Sequence, residues 1–187
     1  MTAPNPIPSL RANVSRDDAL QHFTTGASAL AARIIQGPAR SIAPLYVPYR
    51  LFTVTILNRG RQQIHLYALD QVEGTLDLFQ FPTPPTPEPI TTRNFLPPQL
   101  PPDRSRDLLI HKVRRLVFSR GFMRLSNLQF EAAPLADFYI PYWLCFRGSG
   151  PTAKLQILDA VRRRPEGAKL RHMVEAWLRS QPETPVS

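Results

Sequence analysis

The sequence predicts an α+β fold of two related helix-plus-antiparallel-meander halves, an internal duplication joined by a Pro-rich linker, with an additional C-terminal helix. Three observations predict it. Phe138-Tyr139-Ile140-Pro141-Tyr142-Trp143-Leu144-Cys145-Phe146 has a weaker copy at Leu45-Tyr46-Val47-Pro48-Tyr49-Arg50-Leu51-Phe52, and both run from Tyr-x-Pro-Tyr into an apolar strand. Each copy is followed by a second landmark: Asp70 in Leu69-Asp70-Gln71-Val72 lies 24 residues after Tyr46, and Asp159 in Leu158-Asp159-Ala160-Val161 lies 20 after Tyr139. Finally, 9 of the chain's 21 prolines fall between residues 82 and 102. The expected division is a flexible lead at 1–14, a first half at 15–81, the linker at 82–102, a second half with the C-terminal helix at 103–180, and a flexible tail at 181–187.

The lead is Pro-rich and aperiodic. Ser15 followed by Asp18 offers a hydroxyl cap and acidic residues to the start of a helix. Leu20, Phe23, Ala27, Leu30, Ala31 and Ile34 then recur at helical spacing until Gly37-Pro38, so one helix is expected over 16–36. Phe52, Val54 and Ile56 alternate with Thr53 and Thr55, turn chemistry follows at 58–61, and 64–69 is again β-type, which predicts a hairpin. A third strand is expected near 75–81.

Proline lacks an N–H and fixes φ, so residues 82–102 are expected to form a semi-extended spacer. Ser105 and Asp107 open a second predicted helix, with Leu109, Val113, Leu116 and Val117 as its apolar face and Gly121 as its stop. Strands are expected at 122–132, interrupted at Ala133-Pro134, then through the second Tyr-x-Pro-Tyr motif, and at 153–161 after a turn at 148–151. Residues 162–167 form a basic loop, and Leu170, Met173, Val174, Trp177 and Leu178 predict the closing amphipathic helix.

At 187 residues and 43% hydrophobic content, the chain can bury a core of ordinary size. Its net charge of +9 is uneven: residues 1–102 carry 8 Lys/Arg against 6 Asp/Glu, and 103–187 carry 15 against 8. The single cysteine, Cys145, allows no internal disulfide and no thiolate cluster. With neither a signal-like N-terminus nor a membrane-length apolar run, a cytoplasmic location is expected.

No nucleophile elbow, phosphate-cradling loop or dinucleotide fingerprint occurs. His22, His65, His111 and His172 lack ligand spacing, so neither a metal nor a cofactor is expected. Cys145, on an apolar strand, reads as a buried inert thiol. Asp70 and Asp159 fit two readings, paired carboxylates or caps of the turns leaving a strand, and the capping reading is preferred. The aromatic motifs read first as core packing, while Tyr142 and Trp143 are the members able to make an aromatic contact with a ligand. The basic residues supply the remaining binding candidates: Lys112 and Arg115, with Arg114 and Arg120, on one helix, and Arg162, Arg163, Arg164, Lys169 and Arg171 around the loop and the last helix.

Architecture without recognisable chemistry points first to a non-enzymatic protein-interaction or scaffold chain, partnered by itself or another protein. Nucleic-acid binding by the basic C-terminal half is the alternative. An unfamiliar enzyme is the third.

Overall fold

A computed structural model describes residues 6–58, 60–119, 128–149 and 153–180. Among them are four α-helices and eight strands in a mixed sheet, so the α+β class holds, with the sheet dominant. The strands are β1 (Ile7–Ser9), β2 (Ala39–Asn58), β3 (Arg61–Asp70), β4 (Phe79–Phe81), β5 (Glu88–Ile90), β6 (Gln129–Arg147), β7 (Lys154–Asp159) and β8 (Arg164–Pro165). The helices are α1 (Arg16–Thr24), α2 (Gly26–Gln36), α3 (Pro102–Ser119) and α4 (Ala168–Ser180).

The chain forms two compact units, and they do not coincide with the sequence halves. Unit 1 comprises 1–10 and 47–139; unit 2 comprises 11–46 and 140–187. In unit 1 the predicted hairpin is present, with β2 pairing β3 from Tyr49↔Asp70 to Asn58↔Arg61, and β4 adds the expected third strand. The helix on this hairpin is α3, from beyond the proline segment. Its Ser105, Leu109 and Val113 repeat at i, i+4, i+8 and are buried. Leu109 and Val113 pack with Phe52, Val54, Ile56, Tyr67 and Leu69. Fully burying one such aliphatic side chain contributes about 1.5–3 kcal/mol, so this face holds the unit together.

Two expectations in unit 1 are corrected. From residue 6 onward the N-terminal lead is not loose: β1 pairs antiparallel with β5 through Ile7↔Ile90 and meets β6 in parallel at Ser9↔Tyr139. Its partner β5 lies inside the proposed spacer, where Pro89 faces Pro8; a three-residue edge strand accepts prolines that a central strand would not. Ser105, read as a helix cap, is instead buried within α3, and its Oγ donates to Gln71 Oε1 at 2.8 Å. Pro102 opens the helix, as suits a residue with no N–H to lose.

Unit 2 pairs the C-terminal part of β6 with β7, from Tyr142↔Asp159 to Arg147↔Lys154. Here α1 supplies the packing helix: Ala19 and Phe23 join Val14, Cys145, Leu158 and Ala160 in one core. The predicted cap is present, since Asp18 N donates to Ser15 Oγ at 3.1 Å and Ser15 N to Asp18 Oδ2 at 3.2 Å. The single helix expected over 16–36 is two helices. Thr25 is extended and Gly26 has φ +87, a left-handed conformation open to glycine, so the helical phase restarts. Strand β6 also runs unbroken through Ala133-Pro134. Strand β7 and helix α4 form as expected, α4 burying Leu170, Met173 and Val174. The expectations at 120–127, 150–152 and 181–187 lie outside the described residues.

Both units use one bonding plan. In unit 1, Gln71 N donates to Pro48 O at 2.8 Å, and Gln71 O accepts from Gln99 N and Leu100 N at 2.7 and 2.9 Å. In unit 2, Ala160 N donates to Pro141 O at 3.1 Å, and Ala160 O accepts from Asn13 N and Val14 N at 2.7 and 3.1 Å. The two motif copies, 45–52 and 138–145, also share one burial sequence, position for position.

Candidate functional site

The Tyr-x-Pro-Tyr motifs are packing elements. Tyr49 and Tyr142 are each 1% exposed, and the Tyr49 ring meets Phe79 edge-to-face at 5.3 Å. Tyr142, a candidate contact residue, is therefore inside the core. Trp143 is half-buried on its apolar side, and its Nε1 donates to Val14 O at 2.9 Å, so its polar edge serves the fold. The corresponding Arg50 instead makes a two-pronged ion pair with Asp137, at 2.6 and 2.8 Å.

Asp70 and Asp159 cap turns. Both are fully buried. Asp70 Oδ1 accepts from Glu73 N and Gly74 N at 3.0 and 2.8 Å, and its Oδ2 from Leu76 N at 2.9 Å. Asp159 Oδ1 accepts from Val161 N and Arg162 N, both at 2.8 Å, while Oδ2 takes Arg162 Nε at 2.6 Å. With both oxygens of each carboxylate engaged by local donors, each aspartate lies within its own unit and organises a turn. Among the described residues, no group of three or more His, Cys, Asp or Glu could hold a metal ion.

The basic candidates divide between the units. Lys112, Arg114 and Arg115 lie on α3 in unit 1, where Lys112 Nζ donates to Leu76 O at 2.5 Å and the Arg114 guanidinium lies 5.3 Å from the Phe130 ring centroid. Arg115 is exposed. In unit 2 the arginine triplet is largely absorbed by its own turn. Arg162 pairs with Asp159 and Glu166, Arg164 approaches Glu166 at 3.5 Å, and Arg163, at φ +57, donates to Asn13 O at 2.5 Å. Burial lifts the Glu166 carboxyl above its ordinary range, against the pull of Arg162 and Arg164. Lys169 and Arg171 are exposed at the start of α4. Arg120 lies outside the described residues.

Two features escaped the sequence. The first is α2, which buries only Ala29 and Ala32 and leaves Leu30, Ile34 and Ile35 exposed at 59%, 79% and 79%. The expected core face of the 16–36 helix, with Leu30 and Ile34 in it, is thus turned outward beyond the break at Thr25-Gly26. A glycine after a threonine was the available sign.

The second is Arg147, 1% exposed at the end of β6. Its Nε donates to Gln156 Oε1 at 2.7 Å, its NH1 to Gly37 O at 3.1 Å, and its NH2 to Phe23 O. Phe23 lies in the last turn of α1 and Gly37 caps α2, so two helix C-termini turn their negative ends to the guanidinium. Arg147 lines a cavity of about 210 Å³ in unit 2, with His22, Ser28, Gln156, Glu166 and Arg171 as its other polar walls. Strand parity was the legible sign, because Arg147 shares a face with buried Cys145.

No helix among the described residues is long and apolar enough to cross a membrane. Comparison with known proteins finds no matching family model, no similar curated protein and no similar solved structure.

Proposed function

We propose that this chain is a cytoplasmic, non-enzymatic interaction module that docks α2 into an apolar groove with an acidic rim on another protein. The observation that carries this reading is the outward stripe of Leu30, Ile34 and Ile35 on a helix that holds itself in place through two alanines. Leu30 and Ile34, one turn apart at i and i+4, are spaced as anchors for helix-in-groove recognition, and Ile35 widens the exposed apolar face. The charge of the partner follows from the surroundings. Helix α2 contains Arg33 and no acidic residue, and unit 2 carries 12 Lys/Arg against 6 Asp/Glu. Such a surface is steered toward an acidic one and repels its own copy.

The same reading includes the architecture. The two halves are copies of one helix-and-meander unit that have exchanged their helices, and the proline-rich segment 82–102 connects them. The shared bonding of Gln71 and Ala160 and the shared burial of the two motifs support it. A module duplicated for packing leaves its differences on the surface, and α2 is one of them.

Size-exclusion of the tagged chain in extracts of its native source tests the docking. The wild type is expected above its own 21.2 kDa, and Leu30→Glu with Ile34→Glu at the monomer mass with an unchanged melting temperature. Retention of the complex by that variant refutes the α2 site, and a heavier species from the purified chain alone would make the occupant a second copy. Nucleic-acid binding is the second reading, supported by the surplus charge of unit 2. It requires an affinity for DNA or RNA that falls steeply with salt.

A further inference from the structure

We infer that the unit 2 cavity is a binding site for a small oxyanion, a carboxylate or phosphate group on a molecule below drug size, with Arg147 as its buried anchor. A guanidinium removed from water is costly unless it is paired. Arg147 is buried, yet its three hydrogen bonds all go to neutral oxygens, and no carboxylate lies within ion-pair distance among the described residues. Those bonds use three of the five N–H donors, leaving one on each terminal nitrogen. The helix C-termini offset part of the charge, as partial dipoles do, and leave a net positive centre in the wall of the cavity.

The other charges of the cavity agree. Arg171 at its edge has no carboxylate partner among the described residues, whereas Glu166, the one acid in the wall, is already held by Arg162 and Arg164. Two cations without carboxylates therefore face one carboxylate that has two cations. Ser28, Gln156 and His22 add groups for orienting a ligand, and Phe23 and Ile157 add apolar wall. A volume of about 210 Å³ falls below the 300–1,000 Å³ typical of drug-sized ligands, which sets the size class.

The test uses the full chain with inorganic phosphate and, separately, propionate, at ionic strength held constant with chloride. Calorimetry gives the affinity, and the Arg147 Nε–H resonance reports whether the anion reaches the guanidinium. The expected result is a saturating shift of that resonance by at least one probe, which also distinguishes a phosphorylated from a carboxylic ligand. Arg171→Ala should weaken that binding about tenfold, as loss of one charge-assisted contact would. Arg179→Ala, the same charge change at the end of α4 outside the cavity wall, should leave it unchanged. The inference is overturned if neither probe saturates the resonance, or if the two alanine variants weaken binding equally, because the effect is then general surface charge.

Discussion

Replacing Asp70 tests whether the buried aspartates are structural. Asp70→Ala removes the acceptor for three backbone N–H groups, of which those of Gly74 and Leu76 are in buried bonds and that of Glu73 is at the half-exposed rim. An orphaned buried donor costs about 1–3 kcal/mol, so the two buried groups cost about 2–6 kcal/mol together, while Glu73 regains water. That is a large part of the 5–15 kcal/mol that usually separates folded from unfolded chains. Asp70→Asn keeps one oxygen for Glu73 and Gly74 but turns an NH2 toward Leu76 N, so a single orphan predicts about 1–3 kcal/mol. Urea unfolding followed by circular dichroism gives the totals, and amide exchange at Gly74 and Leu76 locates them. Asp70→Ala within about 0.5 kcal/mol of wild type, the range of an ordinary surface substitution, would refute the reasoning.

Three further outcomes are expected. Cys145 is fully buried, and burial pushes its thiol up despite Arg147 nearby, so it should resist alkylation in the native chain and react at the rate of unfolding; rapid native labelling at neutral pH would contradict this. The Ser15 hydroxyl and backbone hold the Asp18 carboxyl below its ordinary 3.8, so its stabilising contribution is present above that value and lost as pH falls through the lowered one; Ser15→Ala should raise the Asp18 midpoint toward 3.8 in a carboxyl NMR titration. Gly74 has φ +68, and a Cβ there would sit 2.8 Å from Leu108 Cδ1, so Gly74→Ala should destabilise by more than about 1 kcal/mol in the same urea assay.

The α+β class, the hairpin, the α1 cap and the C-terminal helix were legible because each rests on local chemistry: alternation in 51–57, Ser15 against Asp18, and the 170–178 periodicity. What was not legible required partners distant in sequence. The proline segment reads as a spacer until Ile7–Ser9 arrives to pair with 88–90, and Ser105 reads as a cap until Gln71 lies beside it. The exposure of Leu30 and Ile34 depends on a phase shift at Gly26, which a regular periodicity conceals. Of the candidate residues, Asp70 and Asp159 fit the preferred capping reading, whereas Arg162, Arg163 and Arg164 looked like a free basic loop because their acceptors, Asp159, Glu166 and Asn13, cannot be paired with them from spacing alone. Arg147 is hidden in the sequence for the opposite reason. A lone arginine in an apolar strand carries no motif, and its meaning comes from the carbonyls of two helix ends.

Site-specific photo-crosslinking from Ile34 of α2, with the exposed Ile64 of β3 in the other unit as the control, is the most direct measurement of the docking proposal. In native extract, Ile34 should yield one discrete adduct whose crosslinked peptide is apolar and flanked by Asp or Glu, abolished by Leu30→Glu and absent from Ile64. The same adducts from both positions, or an adduct of twice the chain's own mass, would contradict the proposed docking of α2 into an acidic-rimmed groove.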